Sequence, residues 1–252
     1  MEILKTKKDK PPRVLIHADH GVGKSSLGAA APNPLFIQTE DGLDNISTNA
    51  LPMCESYNML LSQLAEVINE DHDFKTLVID SLDWAERLVN KHVCKEANKG
   101  SISDFGYGEG YQKVNDCFGE IIKALDYIRE SRGMVVILIA HSQVKTYKNP
   151  LGSDYDRHQI KLRDKNAELF LEWVDIAGFM HFQTFVKKEE KGGFQKETTK
   201  AIGGTERILS CSPSAAYVAK NRYDITTDIQ LPTAIDGWKN LVTAIKGEVT
   251  NG

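Results

Sequence analysis

The residues best suited to chemistry stand in one short run, Ala18, Asp19, His20, Gly21, Val22, Gly23, Lys24 and Ser25, with Ser26 behind it. Glycines at 21 and 23 let a backbone turn its N–H groups toward one point, because glycine takes positive φ without steric cost. The lysine that follows brings an ammonium to the same point, and the next serine offers a hydroxyl that can ligate a divalent cation. Backbone donors, one cation and one metal-binding hydroxyl in this order suit a polyphosphate. The run from Ala18 to Ser26 therefore reads as a cradle for ATP with Mg²⁺. It matches the phosphate-loop pattern at every position but the first, where Ala18 replaces the usual glycine. The structural alternative, a glycine-rich turn that happens to open a helix, does not account for Gly-Lys-Ser in register.

A metal ion held this way needs a carboxylate at the end of a neighbouring strand. Asp80 closes the apolar run from Thr76 and is the candidate, with Asp83 as the fallback; capping of the next helix is the structural alternative for Asp80. Glu40 follows the run Leu35 to Gln38, at the edge where a carboxylate can polarise a water. Taken alone, Glu40, Asp41 and Asp44 read at least as well as a solvated acidic loop.

These residues need elements to position them. The chain has 252 residues, 41% of them hydrophobic and 26% charged, enough for one substantial core, so a single domain over 1–252 is expected, with a flexible segment at 1–12 and a tail at 246–252. A net charge of −4 excludes a wholly basic nucleic-acid coat and leaves only a local patch for such a partner. Cys54, Cys94, Cys117 and Cys211 form no CxxC pair or metal-ligand cluster, which suits reduced thiols in the cytoplasm and no structural zinc. No stretch has the length and apolarity of a leader or a membrane span, so a soluble, cytoplasmic protein with no membrane partner is expected.

Arg13–Ala18, Pro34–Gln38, Thr76–Asp80 and Met134–Ala140 are short and apolar, as strands covered on both faces must be. Helical spacing covers Lys24–Ala31, Tyr57–Ile68, Ser81–Ala97 and Tyr111–Arg132. Asp175–Val186 and Glu206–Cys211 read as further strands, with a hairpin turn at Lys191-Gly192-Gly193, and Asp236–Ile245 as a closing helix. The expected fold class is α/β, a mostly parallel central sheet flanked by helices with a C-terminal antiparallel extension.

The chain resembles the RecA superfamily of P-loop NTPases as a core-only member, and more narrowly the phage-encoded RecA-like single-strand annealing and recombination ATPases. The resemblance spans Arg13 to Asp224 and is carried by the phosphate loop, Glu40-Asp41-Gly42-Leu43-Asp44, Val78-Ile79-Asp80-Ser81 and Lys220-Asn221-Arg222-Tyr223. It implies ATP hydrolysis with Glu40 as base, Lys24 on the phosphates, and Ser25 and Asp80 on Mg²⁺. His141 or Gln143 would sense the γ-phosphate, where RecA itself has glutamine. Lys220 and Arg222 would act in trans on a neighbouring subunit's site.

The resemblance further implies single-stranded DNA as partner, held by loops 98–112 and 145–165. It also implies self-association into a ring or filament, and a host-cell cytoplasmic location if the chain is phage-encoded. The extra oligomerisation and C-terminal domains of full RecA are not expected in these 252 residues. Two other classes stay open: a P-loop small-molecule kinase, and an AAA+-type remodeller or loader.

Overall fold

The computed structural model describes residues 10–189 and 198–247. Within them lies a ten-stranded sheet. Its middle is built from β1 (Arg13–Ala18), β2 (Pro34–Gln38), β4 (Thr76–Asp80), β5 (Val135–Tyr147) and β7 (Ile176–Glu189), all parallel, in the order β7-β1-β5-β4-β2. The two-residue β3 (Asn49–Ala50) adds a parallel edge beside β2. On the other flank β8 (Thr198–Ser210) runs antiparallel to β7, and β10 (Ile229–Gln230) antiparallel to β8. The short β9 (Lys220–Asn221) also pairs antiparallel with β7. The expected fold class holds, including the antiparallel C-terminal extension. The hairpin turn expected at Lys191-Gly192-Gly193, most of the flexible segment at 1–12 and most of the tail at 246–252 lie outside the described residues.

Strand alternation divides the apolar side chains between two cores. Leu15, Ile37, Leu77, Ile79, Val136 and Leu138 face α2 (Tyr57–Asn69), α3 (Leu82–Glu96), α4 (Glu109–Ser131) and α5 (Asp164–Trp173). Val14, Ile16, Phe36, Val78, Ile137 and Ile139 face the opposite side, where α1 (Lys24–Ala29) and α6 (Ala234–Lys246) pack. Both faces being covered is why these strands read as continuous apolar runs. Local caps fix the helix starts: Ser56 accepts from Met59 N–H at α2, and Thr233 from Asp236 N–H at α6.

Several expectations change, β8 among them, which starts at Thr198 rather than Glu206. The helix after the phosphate loop stops at Ala29, and α4 starts at Glu109, behind the left-handed Gly108. The strand expected to end at Ala140 continues to Tyr147 and pairs antiparallel with β6 (Tyr155–Ile160). Loop 145–165 is thus largely a β-hairpin followed by the start of α5. Outside the core only one edge of β5 is paired and its residues alternate between half-buried and exposed, so no apolar run marks it.

Candidate active site

Parallel register gathers the carboxyl ends of four adjacent strands. Ala18 lies beside His141, Asp80 beside Ile139, and Gln38 beside Asp80. The phosphate loop leaves β1 at the fully buried Ala18, where a small side chain suffices. Gly21 (φ 74°) and Gly23 (φ 106°) take the left-handed turns that the loop requires, and Val22 anchors its middle in the core under α1. Asp19, His20 and Gly21 stay exposed at its tip, and Ser26 lies in the first turn of α1 with its carbonyl accepting from Ala30 N–H.

Lys24 is buried, and its ammonium donates to the carbonyls of Asp19 (2.9 Å) and Ala18 (3.3 Å). Burial lowers its pKa, with Asp80 and Glu40 opposing. The Ser25 hydroxyl donates to Asp80 Oδ2 at 2.5 Å. Burial pushes the Asp80 carboxyl up to about 6, against that hydrogen bond.

Beside this pair lies a second cluster. Thr39, itself buried, clamps the turn after β4: its hydroxyl donates to Ser81 O (2.6 Å) and accepts from Ser81 N–H (2.8 Å). The Asp80–Ser81 peptide is cis. Glu40 Oε2 accepts from the Ser81 hydroxyl at 2.9 Å and lies 3.7 Å from His141 Nδ1. Asp83 does not reach Ser25; it accepts from the backbone N–H of His141 (3.0 Å) and bonds the ring Nδ1 (3.0 Å). Burial raises Asp83, but these bonds to His141 outweigh it and hold the carboxyl below its usual range. Glu40, Asp83 and His141 offer ligand atoms within 4.8 Å of one another. His20, at the loop tip, stacks on His141 with centroids 3.9 Å apart. Gln143, the other sensor candidate, turns instead to the carbonyls of Ile160 and Leu162.

A family model described as an AAA domain matches residues 10–223. The chain belongs to this AAA-domain family. No curated protein matches the sequence. The AAA domain has a P-loop ATPase-like fold, and none of its described helices is long and apolar enough to cross a membrane.

Other candidates lie elsewhere on the AAA domain. Lys220 and Arg222 sit toward the amino end of β1, Lys220 level with Leu15 and Arg222 beyond Val14, roughly 10–16 Å along the strand direction from Ala18 in the same chain. The Lys220 ammonium donates to the carbonyls of Leu171 (2.5 Å) and Glu172 (3.0 Å) at the end of α5. The half-exposed Arg222 reaches Asp175 (3.4 Å) and Glu172 O (2.9 Å).

The glycine- and aromatic-rich segment 98–112 and the cation-rich segment 145–165 meet on the α3 and α5 side. Segment 98–112 contains two 3-10 turns and the fully exposed Tyr107, and the Arg163 guanidinium lies 3.8 Å above the Tyr111 ring. On the hairpin, Arg157 lies 4.1 Å above Tyr147. Next to Arg163 a groove of about 300 Å³ is lined by Arg87, Lys145, Lys161 and Arg163, with Asp83 and Glu86 among its walls.

Two neighbours of the site carry no sequence signal: Thr39, which makes a contact across strands, and Arg207 of β8; His20 was expected in the cradle, but its stacking on His141 was not. A Cβ on Gly23 would lie 2.6 Å from Arg207 Nη1.

Proposed function

We propose that the chain hydrolyses ATP with Mg²⁺ and couples turnover to single-stranded DNA, as annealing and recombination ATPases do. What supports the coupling is the double membership of Asp83: it holds His141, which reaches toward Glu40, and it lines the basic groove. Flanking aromatics with cations over them, at Tyr111 and Tyr147, suit sequence-tolerant stacking and phosphate neutralisation.

The donor set fits Mg²⁺, a hydroxyl and a carboxylate oxygen being paired in a site whose burial makes an unaccompanied carboxylate costly. Bound there, the ion would supply charge neutralisation on phosphate oxygens. Lys24 binds the phosphate chain as a point charge within reach of backbone donors. Glu40, oriented by Ser81, accepts a proton from the attacking water, and His141, fixed by Asp83, answers to the terminal phosphate. Arg222, half-exposed at the far end of the sheet, completes the site of a neighbouring subunit, with Lys220 bracing the strand that carries it.

The test is ATP turnover with and without single-stranded oligonucleotide. Turnover should rise with the strand, and Lys161→Glu with Arg163→Glu should weaken strand binding by tenfold or more, by analogy with the loss of two phosphate contacts. Turnover indifferent to DNA, with phosphate passed to a nucleoside or metabolite instead, would favour a kinase. Turnover stimulated by a protein client alone would favour a remodeller.

A further inference from the structure

Arg207 is fixed from two sides: β8 pairs with β7, and the Arg207 carbonyl accepts from Leu231 N–H at 2.9 Å. Its register partner across the strands is Phe182, so its side chain shares a face with Met180 and Leu209, both buried in the core under α1. Met180 Cε lies 3.6 Å from a Cβ position on Gly23, and the guanidinium Nη1 comes closer still, at 2.6 Å. The half-buried arginine thus lies on the backbone of the phosphate loop. Among the described residues its side chain has no hydrogen-bond or ion-pair partner. A second cation beside the loop that holds Lys24 is unfavourable unless an anion lies between them.

Which part of that anion it meets follows from the sheet order. β1 has β5 on one side and β7 on the other. Asp80, Glu40 and His141 all belong to the β5 side, and the Ser25–Asp80 contact fixes the hydrolysed end there. Arg207 approaches from the β7–β8 side. We infer that Arg207 is a nucleotide-binding residue that grips the diphosphate portion common to ATP and ADP, opposite the hydrolytic carboxylates. This rests on the nucleotide reading above.

Calorimetric titration with MgADP and with MgATP tests it, using wild type, Arg207→Met and Arg207→Lys, alongside thermal unfolding without nucleotide. Methionine keeps an apolar stem of similar reach, so the nucleotide-free melting temperature should hold while affinity for both nucleotides falls by roughly ten- to hundredfold, the worth of a charged hydrogen bond. Lysine should restore part of it, since it returns the charge without the fork. Arg207→Met binding both nucleotides like wild type overturns the inference, as does a loss confined to ATP. If both variants lose affinity only in proportion to a lowered melting temperature, the arginine's role is packing and the inference falls. A wild type that binds neither nucleotide overturns the underlying nucleotide reading instead.

Discussion

Glu40 is the carboxylate with most freedom to act, because Asp80 is tied to Ser25 and Asp83 to His141, while Glu40 keeps one bond from Ser81. Glu40→Gln preserves shape and that bond but removes basicity. Nucleotide titration should show ATP still bound, and phosphate release should fall by about 10² or more. A glutamine variant hydrolysing at full rate would move the base elsewhere, with Asp41 next to be tested. A second residue-scale prediction concerns His17, fully buried between Val218 O (2.7 Å) and Ser142 Oγ (2.9 Å). Burial lowers its pKa from 6.5 to about 4, so the folded state refuses a proton that the unfolded chain accepts. Stability is therefore fully present above pH 6.5 and is lost as pH falls toward 4, on the order of 3 kcal/mol at full effect. Melting temperatures of wild type and His17→Asn across that range should show a shallower slope in the variant; parallel slopes would refute the assignment. At this scale the meeting of Lys24, Ser25 and Asp80 was legible because their positions depend on local order along the chain. Thr39, Arg207 and the stacking of His20 on His141 were not, since each depends on a contact that only the folded sheet creates.

Elements buried on both faces announced themselves in the sequence, and elements paired on one edge did not. β1, β2 and β4 match their expected limits because an apolar run stops where the core stops. The outer half of β5 and β6 up to the buried Ile160 leave the core as a two-stranded arm whose polar residues mimic a loop. The root of that arm is fixed where His158 stacks on Phe179 of β7 at 4.8 Å. The contact of β7 with β8 is tighter than either strand's composition suggests. Gly178 pairs with Ile16, and a Cβ there would lie 2.5 Å from Leu209 Cδ1, in a fully buried site. Gly178→Ala should therefore lower stability by about 1–3 kcal/mol through overpacking, read as a lower denaturant midpoint. An unchanged midpoint would mean that Leu209 yields at no cost.

For the whole molecule, the sheet has two chemically different ends. Its carboxyl end carries Lys24, Asp80, Glu40 and His141. Its amino end carries a cationic knot in which Arg13, Arg129 and Arg222 all reach Asp175. If Arg222 serves a neighbour, turnover per chain should rise with protein concentration. A mixture of Lys24→Ala and Arg222→Ala, each dead alone, should then regain part of the activity, because one interface pairs an intact loop with an intact arginine. A mixture that stays inactive while both variants assemble, or a fully active Arg222→Ala, would remove the trans role. The position of Asp83, with one side on His141 and the other on the groove, has a thermodynamic corollary. If a DNA strand in the groove strengthens ATP binding by some factor, ATP must strengthen strand binding by that same factor, since the two routes to the doubly bound state close a cycle. ATP held by the slow Glu40→Gln variant lets both factors be measured at equilibrium. Two strengthening factors that differ would mean that a third equilibrium, such as assembly, is being shifted as well.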